Sequence, residues 1–492
     1  MSFDLTEATI ADVHAAMRDG TLTAEALVDG YLARIEAYDD TLNAVLTVND
    51  AARERARELD AARERDGFVG PLHGVPVLLK DNHDTHDMPT TAGSTALADS
   101  QPDRDAFVVE QLRAAGAVVL GKTNLQELSF GVDTVSSLGG ATRNAYDLDH
   151  RPSGSSGGTA AAVAANLALL GTGSDTCSSV RSPPAFNDCV GVRPTRGLVS
   201  RTGIVPLAST QDTAGPIART VADAARLLEV MAGYDPTDSV TARGADAVPD
   251  DGYRPLNADA LADARIGVVR SAFGLADESN DAAGAAAVTD VVEEALSEMA
   301  AAGATLVDCE PVDPDYLASA RVLGYEFARD VNAYLAELED PPHETLREIY
   351  DTGEITPSVA ERFDEAGIFD VNPDVVDRNV DYLRRFRRRE TLREQTLACL
   401  VEHDLDALAY PPSRVPPVEI PAHQPFEELN CELSAHTGLP SLVVPAGFTD
   451  NGLPVGVELL GRAFDESRLF DLGYAFEQAS DHRRPPARFG PL

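Results

Sequence analysis

Between residues 75 and 120 the chain leaves helical spacing for short apolar runs bounded by glycine and proline, and this change limits the possible folds more than any other. Val75-Pro-Val-Leu-Leu and Ala117-Val-Val-Leu read as strands, and the segment Asp105 to Ala115 between them reads as a helix. Strand, helix and strand in that order predict an α/β sheet with crossover helices. Further strands are predicted at Ile266-Gly-Val-Val, Ala407-Leu-Ala-Tyr, Leu442-Val-Val-Pro and Val455-Gly-Val-Glu-Leu-Leu. Apolar residues three and four apart predict helices over Ala8 to Met17, Ala24 to Ala37, Val221 to Met231 and Ala282 to Ala301. A charged helix is expected near Ala51 to Arg65 and a long one near Asp377 to Leu400. Asp235 to Asn257, rich in Asp, Pro and Gly, reads as a connecting loop. Residues 310–376 show the weakest patterning and are expected to form a cap or variable insert. Strands on both sides of these stretches predict one large α/β domain.

Charge narrows the class of partner. The 492 residues carry 81 acidic and 40 basic side chains, a formal net charge of −41 spread along the whole chain. Such a surface repels nucleic acid and anionic membrane. With an ordinary apolar fraction, disorder does not account for it. A folded surface kept soluble in concentrated salt does, because salt screens the self-repulsion, and a halophilic source is inferred. No run of about 18 apolar residues predicts a membrane span, and the Met1 to Glu7 start lacks a secretory signal pattern. Five scattered cysteines without a Cys-x-x-Cys pair predict reduced thiols in a cytoplasmic protein, with no disulfide framework or thiolate metal site.

Lysine usage points to chemistry. Only Lys80 and Lys122 are lysines; every other basic residue is arginine. Arginine keeps its proton in a protein, whereas a desolvated lysine can lose it and act as a base. The composition alone does not say whether either lysine does so. Two further segments concentrate small polar residues. Ser153-Gly-Ser-Ser-Gly-Gly-Thr159 opens directly into an alanine-rich apolar helix, so it is a structured turn rather than a linker. It lacks the Gly-x-x-x-x-Gly-Lys-Ser/Thr and Gly-x-Gly-x-x-Gly patterns of phosphate cradles. Gly171-Thr-Gly-Ser-Asp-Thr-Cys-Ser-Ser-Val-Arg-Ser-Pro-Pro184 reads as a serine-rich loop whose backbone N–H groups suit an oxyanion hole.

Taken together, these blocks resemble the amidase signature family. Gly74-Val-Pro-Val-Leu-Leu-Lys-Asp-Asn82, Gly121-Lys-Thr-Asn-Leu-Gln-Glu127, the Ser-Gly-Ser-Ser-Gly-Gly loop and Gly173-Ser-Asp-Thr-Cys-Ser-Ser-Val-Arg181 follow its order. Val190-Gly-Val-Arg-Pro-Thr-Arg-Gly-Leu-Val-Ser200, Gln211-Asp-Thr-Ala-Gly-Pro216, Leu439-Pro-Ser-Leu-Val-Val-Pro-Ala-Gly447 and Leu453-Pro-Val-Gly-Val457 continue it. The resemblance implies one amidase domain over 1–492, with a signature core at about 65–240 and a variable cleft region at about 310–376. Its fold would be a large twisted mixed β-sheet with helices on both sides. The implied catalytic set is Lys80 as base, Ser155 as relay held in a cis peptide, and Ser179 as nucleophile. Backbone N–H groups of Thr176, Cys177, Ser178 and Ser179 would form the oxyanion hole. Ser129 with Phe130 would wall the substrate cleft, and Asp175 and Arg181 would brace the loop. Lys122 would be structural.

One position departs from the family, which often has Gly-Gly where this chain has Cys177-Ser178; a φ > 0 there would strain the turn. Cys177 has no sequence-adjacent histidine to activate it. His83 and His86 lack a third ligand, so no metal is expected, and no cofactor. Arg384-Arg-Phe-Arg-Arg-Arg389 reads as the solvated face of a helix. The expected reaction is hydrolysis of a small carboxamide through an acyl-enzyme. The rival is the A subunit of the tRNA-dependent glutamine amidotransferase, a glutaminase serving a partner. Asp351-Thr-Gly-Glu-Ile-Thr and Glu428-Leu-Asn-Cys-Glu-Leu-Ser-Ala-His-Thr437 lack the motifs expected of those subunits. A catalytically dead binding protein on the same fold is the reading from another class. A homodimer is implied by resemblance only.

Overall fold

The computed structural model describes residues 3–274 and 281–492. Met1 and Ser2 of the N-terminal stretch read above lie outside the described residues. The strands in chain order are β1 (Val45–Val48), β2 (Pro76–Lys80), β3 (Val118–Thr123), β4 (Val135–Ser136) and β5 (Gly140–Ala141). They continue with β6 (Leu170–Asp175), β7 (Val190–Arg193), β8 (Thr213–Ala218) and β9 (Arg265–Val269). The last four are β10 (Thr305–Cys309), β11 (Ala407–Tyr410), β12 (Ser441–Phe448) and β13 (Pro454–Leu460). Eleven of them form one sheet in the order β1-β3-β2-β6-β8-β7-β12-β13-β11-β9-β10. β3, β2 and β6 are parallel, as are β11, β9 and β10, with antiparallel pairs between the two groups. This is the expected mixed α/β sheet.

The central strands are buried at every position, so helices cover both faces. Ala24–Leu42 shows how one of them forms. Thr23 caps its N-terminus by accepting from the Ala26 N–H, and it ends at Asn43 in a left-handed conformation. Its apolar stripe of Leu27, Val28, Tyr31, Leu32 and Ile35 is buried. The alanine-rich helix Gly157–Ala164 is buried on all sides. It reaches that depth because its side chains are small: a Cβ on Gly158 would lie 2.2 Å from the Asn124 carbonyl oxygen.

Two expectations need correction. Gly171 to Asp175, read as the start of a loop, is the interior strand β6. Its small residues misled the pattern reading. They are small because the buried helix crosses them closely; a Cβ on Gly171 would lie 2.3 Å from Thr159 Cγ2. The cysteines are also not all reduced. Cys177 and Cys431 form a disulfide across 254 residues of sequence, while Cys189, Cys309 and Cys399 are free and buried. A separation that long carries no pairing signal, and only the fold sets the two Cα atoms 4.9 Å apart.

The weakly patterned stretch 310–376 folds into the helices Pro314–Ala318, Leu323–Glu337, Leu346–Asp351 and Pro357–Glu365. Short elements give a short periodic signal. They share a core that includes Phe327, Val331, Leu335, Ile349 and Phe363, closed by Leu128 and Phe130 from the signature region. The Phe130 ring stands 4.8 Å from Phe363 and 5.1 Å from Phe327, so this stretch leans on the Ser129–Phe130 segment.

The close helix–strand crossing predicts that Gly171→Val destabilises the fold by about 1–3 kcal/mol despite valine's better strand propensity. Urea unfolding in molar KCl measures it. A variant as stable as the parent would show that the crossing has slack.

Candidate active site

The C-terminal ends of β2 and β6 bring the reactive side chains together. Lys80 closes β2 and is fully buried. Its Nζ lies 2.7 Å from Ser155 Oγ and 2.8 Å from Ser174 Oγ. The Gly154–Ser155 peptide bond is cis. Ser155 Oγ is 3.0 Å from Ser179 Oγ, and the Ser155 backbone N–H donates to the same Ser179 Oγ at 2.9 Å. A continuous line of hydrogen-bonded groups therefore runs from Ser179 through Ser155 to Lys80.

Burial pushes Lys80 down to about 7, with the carboxylates of Asp175 and Asp212 opposing. No carboxylate touches its ammonium directly, and that separates it from Lys122. Lys122 Nζ lies 3.4 Å from Asp81 Oδ1 and donates to the carbonyls of His83 and Pro89. Burial lowers Lys122 as well, against Asp81. It braces the turn after β2 and, among the described residues, makes no hydrogen bond to Ser155 or Ser179. His83 is buried beside Lys80, and burial with the nearby lysine charges holds it down at about 3. It is therefore a neutral imidazole packed against Asn82. His86 instead sits beside Asp105 near the surface. Arg113 pairs with both Asp105 and Asp87, so the acids beside His86 already have their cation.

The loop of residues 176–179 leaves the end of β6. Among the described residues, none of the backbone N–H groups of Thr176, Cys177, Ser178 and Ser179 donates to another protein group. They are free to meet a developing oxyanion. Neither Cys177 nor Ser178 has a positive φ, so side chains there do not strain the turn. The loop is pinned on both sides. Thr176 Oγ1 donates to Asp212 Oδ1 at 2.6 Å, and Gln211 Nε2 donates to the Thr176 carbonyl at 2.8 Å. Beneath it lie four buried charges. Asp175 accepts from Arg181 at 3.2 Å and from Arg193 at 2.6 Å, and Arg181 also reaches Glu458 at 2.8 Å. Burial raises the Asp175 carboxyl, but the two guanidiniums outweigh it and hold it below its ordinary value. Arg193, Asp212, Ser174 and Glu458 escaped the sequence reading as site residues. A lone carboxylate in the apolar strand Val455-Gly-Val-Glu-Leu-Leu was the available signal for a buried pair.

A cavity of about 520 Å³ is lined by Ser129, Thr176, Ile204, Leu207, Tyr334 and Ser174, whose hydroxyl accepts from Lys80. Leu128 and Ser129 both have left-handed φ, at 53° and 57°, a conformation that costs energy for side-chain-bearing residues. Among the described residues, the buried hydroxyls of Ser129 and Ser178 have no hydrogen-bond partner. The two cations lining the cavity are paired: Arg201 with Asp238 at 2.5 Å and Arg104 with Glu337 at 3.7 Å.

Comparison with known proteins agrees with this geometry. Residues 26–470 match the Amidase family. The chain is 37% identical to the glutamyl-tRNA(Gln) amidotransferase A subunit of Moorella thermoacetica, over 94% of this chain and 95% of that one. Among solved structures it is similar to the native peptide amidase of Stenotrophomonas maltophilia, with TM-score 0.87, 37% identity and 98% of each chain covered. The corresponding amidotransferase protein of Thermotoga maritima superposes with TM-score 0.74 and 27% identity, over 97% of this chain and 96% of that one. Matched along nearly its whole length, and carrying the family's blocks around one buried lysine–serine–serine line, the chain belongs to the amidase family.

Proposed function

We propose that the chain is a stand-alone amidase, one domain that hydrolyses a neutral carboxamide with Ser179 as nucleophile, Ser155 as relay and Lys80 as base. The observation that carries this reading is the buried line of 2.7 Å and 3.0 Å contacts ending on a lysine near neutrality at pH 7. Neutral Lys80 takes the Ser155 proton as Ser155 takes that of Ser179, and Ser179 Oγ attacks the amide carbon. The oxyanion is met by N–H groups from Thr176 to Ser179. The relay runs back to protonate the departing amine or ammonia. Water, activated by the same relay, then cleaves the ester and releases the acid.

The cavity supports a substrate larger than a simple aliphatic amide. Of its two lining cations, the more buried Arg201 is committed to Asp238, which disfavours a free carboxylate such as that of glutamine at that position. The peptide amidase likeness points the same way. The likeness to the amidotransferase proteins keeps a glutaminase that serves a partner as the second reading.

The test is ammonia release by the purified chain alone in molar KCl, over small amides, peptide amides and glutamine. We expect release from a neutral amide and its loss in Ser179→Ala. Release from glutamine alone, or none without a partner, would favour the amidotransferase reading. The base also sets a pH dependence. kcat/KM should fall about tenfold per pH unit below about pH 7 as Lys80 is protonated, and level off above it. A profile flat from pH 5 to 8 would remove Lys80 as the base. Lys80→Arg, which stays charged, should lower kcat by about 10²–10⁴-fold.

A further inference from the structure

The loop that offers the free N–H groups carries a covalent tether that the proton relay does not use. Cys177 lies two residues before Ser179, and its sulfur is bonded to Cys431. Cys431 precedes the helix Glu432–Thr437, and its carbonyl accepts from Arg181 Nη2 at 3.0 Å. Arg181 in turn holds Asp175 at the start of the loop. The neighbours of Cys177 have other restraints. Thr176 is held by Asp212 and Gln211, and the Ser178 carbonyl accepts from the Arg181 and Ser182 N–H groups at 2.8 and 2.9 Å. Cys177 makes no hydrogen bond of its own among the described residues. Its sulfur bridge, with packing against the cluster of Val132, Leu429 and Cys431, is what holds it.

We infer that the Cys177–Cys431 disulfide is a positioning element for the oxyanion loop, and that turnover depends on the redox state of this pair. The inference rests on the amidase reading above. An N–H aimed by a fixed frame stabilises developing charge without reorganising, and an untethered one loses that advantage. Cys431 is 1% exposed whereas Cys177 is half-buried, so a reductant meets the Cys177 sulfur first. A dithiol's thiolate attacks that sulfur, and Cys431 leaves as a thiolate and takes a proton. The second thiol then closes the reductant to its own disulfide and frees Cys177 as a thiol. Two electrons and two protons pass to the protein. Cys189, Cys309 and Cys399 remain free thiols throughout.

The experiment compares the full chain in molar KCl before and after dithiothreitol, with thiols counted after denaturation. Activity on a neutral amide and labelling of Ser179 by a fluorophosphonate are both followed. The oxidised protein should show three thiols and the reduced one five. Reduction should lower kcat at least about tenfold, leave KM within about twofold, and slow the labelling. Diamide, by taking back two electrons, should restore both. Cys431→Ser should match the reduced parent and ignore dithiothreitol, whereas Cys309→Ser should stay sensitive to it. Five thiols in the oxidised protein would overturn the inference, as would unchanged kcat after verified reduction. Loss of folded circular dichroism along with activity would overturn it in favour of a general staple. Oxidised protein inert to every amide and to the probe would overturn the amidase reading and this inference with it.

Discussion

Four buried charges meet at the end of β6, and the geometry of the site follows from keeping them paired. Asp175, Arg181, Arg193 and Glu458 come from β6, the segment that follows it, β7 and β13, and each is almost wholly removed from water. Two carboxylates and two guanidiniums cancel in charge. A buried member left without its partner costs about 3–5 kcal/mol, so the set holds only when all four elements are in register. Arg193 also donates to the Asp175 carbonyl at 2.6 Å, fixing the backbone where the strand becomes the loop. The free N–H groups follow within four residues. The network therefore sets the direction in which the loop leaves the sheet.

The same network explains how burial can lower Lys80 in an interior with so many acids. Asp175 is committed to two arginines, and Asp212 to Thr176 and the N–H groups of Leu207 and Ala208. Both act on Lys80 only at a distance, so burial prevails. Lys122, on the adjacent strand β3, lies against Asp81, although burial lowers it too. Two lysines on neighbouring strands thus differ in their contacts: one has a carboxylate at hand and the other has two hydroxyls.

Much of the scaffold was legible because its elements are long and periodic. Val221–Met231, Ala282–Ala301 and Ala407–Tyr410 fall at the bounds the pattern predicts. β6 was not legible, since a strand crossed closely by a helix is built of glycine, serine and threonine, the residues of loops. The short helices of 310–376 were missed for a related reason: five to fifteen residues give little period, and their apolar faces turn toward one another and toward Phe130. Scarce lysine and a Gly/Ser turn running into an apolar helix drew attention to Lys80 and Ser155, but the roles expected of Lys80, Ser155 and Ser179 came from the resemblance of the ordered blocks to the amidase signature family.

The α/β class and the strongly acidic charge balance were set in the linear chain. They depend on local pattern and composition, which a chain displays without folding. How far each lysine is removed from water, and beside which groups, was settled in the folded molecule. Folding also settled that Cys177 meets Cys431, that Glu458 reaches Arg181, and that the cations of the cleft are already paired. Each of these joins residues apart in the chain, and their proximity comes from the order of strands in the sheet and the packing upon it rather than from any spacing along the sequence.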